Sequence, residues 1–362
     1  MSITIEVLDS IGSLDRIDYQ GFHQASGASV FYDWRFLDAA ERSPLLQLIR
    51  PYYLLAKDRG EPVAFLPAYL QRVSVVDPFG LLARRANLSG ENGELGLFSH
   101  VMHCFNSGIV STVSRAQVFA PLMDRLSSLA AAANARYFGL LNVADPELVR
   151  HAANHRMHAN PVVDRYLLDL TEHSGFEALV AAFPAPGRRE MNRQLRKFEV
   201  SGATARMLSP PFDDRLEQLA GLCQQTTARN GTPQYFPAPE LIRFVRLCGD
   251  LIRLCLIEQD GELAGGLICL VDKHFFCVWS AGMRYDKTDF SPYTIAFAHA
   301  YRHAFELGLP VVEAGRLNER IKLRLGLRPV PLYALTAESP PMPRRTRATV
   351  MQAAKEPVHG TE

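Results

Sequence analysis

Residues 313–329, EAGRLNERIKLRLGLRP, leave a short apolar strand and present Arg316, Asn318, Glu319, Arg320, Lys322 and Arg324 in quick succession. Donors this dense after a strand end can grip the anionic part of a ligand. Lys322 and Arg316, with Asn318 beside them, are the residues expected to do so. Glu313 closes the strand and offers a carboxylate able to act as a base. Gly315 permits an unusual backbone angle. Surface decoration would have the same composition, so the rest of the chain must decide whether this is a ligand-gripping loop.

A second basic stretch, residues 184–202 (PAPGRREMNRQLRKFEVSG), opens with Pro and Gly and continues at helical spacing. Met191, Leu195 and Phe198 share one face, and Arg189, Arg193 and Arg196 line another. That basic face is either solvated or an anion site, where Arg188, Arg189 and Arg193 would meet a donor phosphate beside the first helical amides. Tyr235 precedes a helix, while Trp279 and Tyr285 bracket SAGMR at an expected strand end. All three are candidate pocket walls, and plain core is the competing reading. His299 and His303 have the spacing of two metal ligands but lack the Glu of H-E-x-x-H and an obvious third ligand. They are read as solvent-facing, as are His151, His155 and His158, and no metal is expected. Phosphate-loop, dinucleotide and serine-hydrolase motifs are absent. The six cysteines form no C-x-x-C pair and read as buried structural thiols.

The elements that must position these residues repeat. Residues 52–70 read as a hairpin turning at Gly60–Glu61, and residues 252–271 as a hairpin turning at Gly261–Glu262, 201 residues further on. Ala64 is matched by Gly265. Each hairpin follows a helical stretch and precedes a strand, a long helix and another strand. In the first copy the final strand region is YFGLLNVADPE, which carries none of the basic groups of residues 313–329. Only the second copy is equipped. The expected organisation is a first domain over 1–170, a basic helix and connecting strand over 171–205, a second domain with the site over 206–336, and a Pro-rich disordered tail over 337–362.

With 362 residues, 48% hydrophobic, 21% charged and a net charge of +1, the chain reads as two soluble domains with no global field for nucleic acid or membrane. No apolar run approaches the length of a membrane span, and MSITIEVLDS lacks the features of a signal peptide, so a cytoplasmic location and no membrane insertion are expected.

Residues 260–266, 291–309 and 313–329, with the RREMNRQLRK helix before them, resemble the second domain of the Fem-type and related acyltransferases of the GNAT superfamily. The resemblance implies an α/β fold of tandem GNAT-like domains, with mixed, mostly antiparallel sheets flanked by helices. It implies transfer of an acyl or aminoacyl group to an amine of a small metabolite or cell-envelope precursor. The donor would be a cosubstrate and not a tightly bound cofactor: acyl-CoA, an acyl-carrier-protein thioester or aminoacyl-tRNA. Lys322 stands where family members place a lysine after the glycine-bearing strand end. Neither copy holds the Q/R-x-x-G-x-G/A pyrophosphate loop of ordinary CoA-dependent members, which counts against acetyl-CoA itself. A Fem-type transferase using aminoacyl-tRNA and a non-catalytic binding protein are the alternatives, and the RRTR of residues 344–347 would suit the first.

Overall fold

The computed structural model describes residues 2–99 and 104–340. The first half runs β1 (Ile3–Leu8), α1 (Arg16–Ala25), α2 (Trp34–Arg42), β2 (Arg50–Asp58), β3 (Glu61–Arg72), α3 (Val73–Val76), α4 (Leu81–Ala86), β4 (Leu95–Ser99), β5 (Val110–Ser111), α5 (Arg115–Ala132), β6 (Tyr137–Val143), α6 (Pro146–Asn154) and β7 (His158–Asp169). Helices α7 (Phe176–Ala182) and α8 (Ala185–Val200) lead to the second half. There β8 (Thr204–Leu208), α9 (Arg215–Arg229), α10 (Ala238–Cys248), β9 (Ile252–Gln259), β10 (Glu262–Val271), β11 (Phe275–Met283), α11 (Pro292–Glu306), β12 (Val311–Arg316), α12 (Glu319–Arg324) and β13 (Arg328–Glu338) follow.

Local chemistry accounts for much of this. Both hairpins turn through two residues of positive φ, Arg59–Gly60 at 51° and 92° and Asp260–Gly261 at 54° and 77°. That geometry matches the twist of the flanking strands, so the shared turn is real. In α8, Met191 is buried while Leu195 and Phe198 pack against the same core, as their spacing requires. Ser291 caps α11 through its side chain, and the helix stops before Gly308, at φ 66°.

The sheet departs from the order of the chain. Among the described residues thirteen strands form one sheet, with the path β1-β2-β3-β4-β6-β13-β7-β12-β11-β10-β9-β8 and β5 attached to β3. The last strand of each half therefore lies beyond the end of its own half. Strand β13 pairs with β6, β7 pairs with β12, and the two run antiparallel at the centre. Residues up to Asp169 thus complete the sheet of the second half, and residues 328–338 complete that of the first. The second strand also runs two residues into the stretch assigned to the tail; residues 341–362, including RRTR, lie outside the described residues.

The two halves match around this centre. Strands β4 and β6 are parallel over three residue pairs, as are β11 and β12, and both pairs then separate. Where β13 crosses β6 and β7 crosses β12, the register slips at Asn142, with φ 58°, and at Gly315, with φ 63°. On one face α1 and α2 share a core with α9 and α10, and Phe36 meets Phe244 edge-on at 5.2 Å. On the other face α5 and α6 cover the first half, and α7, α8 and α11 the second.

Neither half completes its sheet alone, so the chain is expected to unfold as one unit. Trp34 belongs to the first half and Trp279 to the second, and both pack in the core that the halves share. In Trp34→Phe and in Trp279→Phe, the urea transition followed by the remaining tryptophan should coincide with that followed by far-UV circular dichroism. A tryptophan transition displaced from the backbone signal would show a half that folds alone.

Candidate active site

The stretch that opened the sequence is a bulged strand followed by a short helix, not an open loop. The chain crosses from β12 to α12 through Leu317 and Asn318, both left-handed at φ 62° and 56°. At Gly315 a β-carbon would fall 2.5 Å from the Phe105 ring, so only glycine fits both the backbone angle and the contact. Asn318, Glu319, Arg320 and Arg324 reach outward as expected, but Lys322 is turned in beside Glu313, each only 2% exposed.

Glu313 pairs with Arg165 of the exchanged strand β7, Arg165 Nη1 donating to Oε1 at 3.2 Å with both side chains buried. Burial pushes the Glu313 carboxyl above its ordinary pKa, and Arg165 opposes that shift. The Lys322 ammonium donates to the Arg316 carbonyl at 2.6 Å and sits 5.0 Å above the Tyr166 ring. Burial, with the Arg316 charge nearby, lowers its pKa to about 7 against the pull of Glu313. Arg316 is half-buried, and its Nη1 donates to Asn142 Oδ1 at 3.1 Å. The bulge of one half therefore grips the bulge of the other.

Beside this contact a cavity of about 210 Å³ lies between the halves. Arg316, Leu317, Tyr235 and Trp279 line it from the second half, and Asn142, Leu141 and Val162 from the first, with the segment from Val76 to Leu82 at its rim. Its polar groups include Asp77, Thr227, Asn230 and Thr232, and most other wall residues are aliphatic or aromatic. Trp279 lies inside β11, not at its end, and stacks on Phe244 at 5.3 Å. Tyr235 is half-buried, and burial raises its pKa. Glu313 and Lys322 lie behind the wall: neither lines the cavity.

The other candidates stand apart. Asn318 is exposed and starts α12 with its carbonyl, which accepts from the Ile321 and Lys322 amides. Tyr285 is exposed and lines a groove of about 330 Å³ with Gly187, Glu190, Tyr293, Ile321 and Arg324. Val278 and Phe276 share the core on the α11 side of the sheet, whereas Trp279 and Cys277 share the core on the α10 side. Cavity and groove thus lie on opposite faces of the sheet. Arg188, Arg189 and Arg193 are exposed on α8. Arg188 donates to the Ala181 carbonyl at 2.8 Å, and Arg193 clasps Glu190 at 2.7 and 3.0 Å, so the three do not converge with Arg316.

His299 and His303 are partly packed and not solvent-facing. His299 leans on Phe198 and burial lowers its pKa to about 4, while His303 meets Phe276 and Glu306. All six cysteines are free and buried. Among the described residues no three His, Cys, Asp or Glu side chains come together as a metal site.

Two residues of the site were missed in the sequence. Arg165 sits in DRYLLDL and Asn142 in YFGLLNV, each a polar residue interrupting an apolar strand. That interruption was the available signal.

Residues 186–323 match the sequence model of the family described as Acetyltransferase (GNAT) domain. No curated protein matches the chain. Among solved structures, FemX superposes with a TM-score of 0.62 at 9% identity, covering 91% of this chain and 96% of that one. A tandem GNAT protein from the clavulanic acid biosynthesis pathway gives 0.56 at 13% identity over 94% and 100% of the two chains. L-PGS from Bacillus licheniformis gives 0.55 at 10% identity over 94% and 96%. The protein has a tandem GNAT fold of the kind seen in FemX and the tandem GNAT protein, and the match to the GNAT domain model falls in its second half.

The buried Lys322 has a measurable signature. Below about pH 7 the folded chain holds it as a buried cation, which costs stability. Between that pH and its ordinary value of 10.5 the unfolded chain binds the proton and the folded chain does not, so this cost falls as pH rises. Lys322→Met should therefore stabilise the fold by roughly 1–3 kcal/mol at acidic to neutral pH. The gain should vanish towards pH ~10, as read by urea denaturation across that range. A pH-independent difference would refute the lowered pKa.

Proposed function

We propose that the protein transfers an acyl or aminoacyl group from an activated donor to an amine, with the reaction in the cavity between the halves. The observation that carries this reading is Arg316. Its guanidinium lines a mostly apolar cavity, is held by Asn142 of the opposite half, and has the buried Lys322 directly behind its carbonyl. Arg316 binds the anionic part of donor or acceptor, and Tyr235 and Trp279 flank the rest. Lys322 supplies positive charge toward the oxygen of the reacting carbonyl. Glu313 orients this set through Arg165, consistent with its place behind the wall, and not by touching the amine. In the reaction the amine nitrogen bonds to the acyl carbon, the bond to the donor's sulfur or ester oxygen breaks, and the amine proton leaves with the departing group or solvent. Correct placement of the two reactants supplies much of the rate in such a site.

The donor side is the groove across the sheet. The start of α11, where free amides would otherwise attract an anion, is closed by the chain itself. Gln194 of α8 accepts from the Ser291 amide at 2.7 Å, and the Ser291 hydroxyl accepts from Thr294 N. This favours a donor held through its arm and acyl group over one gripped by pyrophosphate, and a carrier-borne or CoA thioester arm would pass between the separated strands β11 and β12. Among the described residues no helix is long and apolar enough to cross a membrane.

Thermal shift against acetyl-CoA, long-chain acyl-CoA, acyl-carrier protein and charged tRNA identifies the donor. With that donor, Lys322→Ala and Arg316→Ala should each lower kcat/KM by ~10²–10³-fold. Turnover by wild type should fall as pH rises through about 7, where Lys322 loses its charge. Full activity in both variants would remove the assignment, and absence of any donor response would leave a binding protein in its place.

A further inference from the structure

The cavity between the halves holds two opposite charges that do not meet. Asp77, at the rim, and Arg316 are the charged residues of its wall, and neither is in an ion pair among the described residues. Burial raises the Tyr235 pKa, Arg316 pulls it down and Asp77 adds to the rise, so the tyrosine hydroxyl lies in the field of both charges. Opposite charges beside aliphatic and aromatic walls attract strongly when they can touch. Here the fold holds them apart.

Each charge is fixed from one side and half engaged. Asp77 Oδ2 accepts from the Ala83 amide at 2.9 Å, which ties the carboxylate to the first turn of α4; Oδ1 accepts no hydrogen bond among the described residues. Capping α4 is the competing use of Asp77, and it takes only one of the two oxygens. Arg316 gives Nη1 to Asn142, and its Nε and Nη2 donate to nothing else among the described residues. Most other polar groups of the wall are engaged within the chain. The Thr227 hydroxyl donates to the Gln224 and Tyr235 carbonyls, that of Thr232 to the Thr227 carbonyl, and the Asn142 amide to the Cys104 carbonyl. A carboxylate oxygen and two guanidinium donors therefore remain for a ligand, at two separate points.

We propose that the acceptor is a small apolar amino acid, its ammonium held by Asp77, its carboxylate by Arg316 and its side chain by the apolar wall. A zwitterion satisfies both charges at once, and the guanidinium fork matches a carboxylate. A site built this way rejects an analogue that lacks either charge, because one of its own charged groups is then left unpaired. Leu81, Leu82, Val162 and Val163 face the side chain. A dry cavity of about 150 Å³ admits benzene, so the roughly 210 Å³ here has room for an aliphatic or aromatic side chain. The ammonium loses one proton to solvent and the nitrogen bonds to the acyl carbon as the bond to the donor's sulfur or ester oxygen breaks. The second proton leaves with that group, and the product is an N-acyl or N-aminoacyl amino acid. This rests on the reading of the cavity as the transfer site, with Asp77 as a specificity residue added to it.

The test is isothermal titration of the full chain with L-valine, L-leucine, L-methionine and L-phenylalanine, then with the matching amine and the matching deaminated acid of the tightest. Wild type should bind the amino acid at least ~tenfold more tightly than either analogue. Asp77→Asn keeps an oxygen for the Ala83 amide and removes the charge. It should weaken the amino acid by at least ~tenfold and leave the deaminated acid unchanged or tighter, an outcome that a lost helix cap would not produce. Arg316→Ala should weaken the amino acid similarly and leave the amine unchanged, with both variants folded by circular dichroism. The titration needs no donor, so its failure is distinct from failure of the transfer reading, which turnover with a simple amine would preserve. The proposal is overturned by no binding of any of the four amino acids, by an amine that binds as tightly as its amino acid, or by an Asp77→Asn variant with unchanged affinity.

Discussion

The exchange of β7 and β13 is the constraint on which the rest of the structure depends. Each half ends in a strand that pairs with the other half's sheet, so the two form one thirteen-stranded sheet with its centre between residues of opposite halves. Backbone hydrogen bonds across that centre cannot be broken without leaving buried amides and carbonyls unpaired. The exchange also brings Arg165 to Glu313 and Asn142 to Arg316. Without it the second half would hold a buried carboxylate with no arginine beside it, and removing one partner of a buried pair costs about 3–5 kcal/mol.

The site follows from the bulges. A strand that pauses at a positive-φ residue turns its next side chain away from the sheet. In both halves this happens where the parallel neighbour has just separated, leaving space on either side. In the first half the bulge residue is Asn142, whose side chain crosses the junction; in the second it is Gly315, packed under Phe105, and Arg316 follows at the cavity wall. One half supplies the charged residues and the other holds them, so the duplication yields one site.

Much of this was legible in the sequence, for local reasons. The Gly60 and Gly261 turns fix both hairpins through allowed backbone angles, and the spacing of Met191, Leu195 and Phe198 fixes which side of α8 is buried. The strand exchange was not legible, because period and turn chemistry describe a strand but not the neighbour it takes beyond the next element. The burial of Lys322 was hidden for a related reason: within residues 313–329 a cation reads as outward, and only the Arg316 carbonyl and the Tyr166 ring show why it points in. The same inversion leaves Ile321 and Leu323 in water. Helical spacing aligns Arg189, Arg193 and Arg196, but it does not show that Glu190 engages Arg193 and the Ala181 carbonyl engages Arg188 locally.

The central claim is that the halves share one site through Asn142 and Arg316. The direct measurement is a double-mutant cycle on kcat/KM with Asn142→Ala, Arg316→Ala and the pair, using the donor that stabilises the wild type. A shared site predicts strong coupling, with Asn142→Ala costing little once Arg316 is gone, an interaction of roughly 0.5–3 kcal/mol. Additive effects, or full activity in Asn142→Ala, would contradict it.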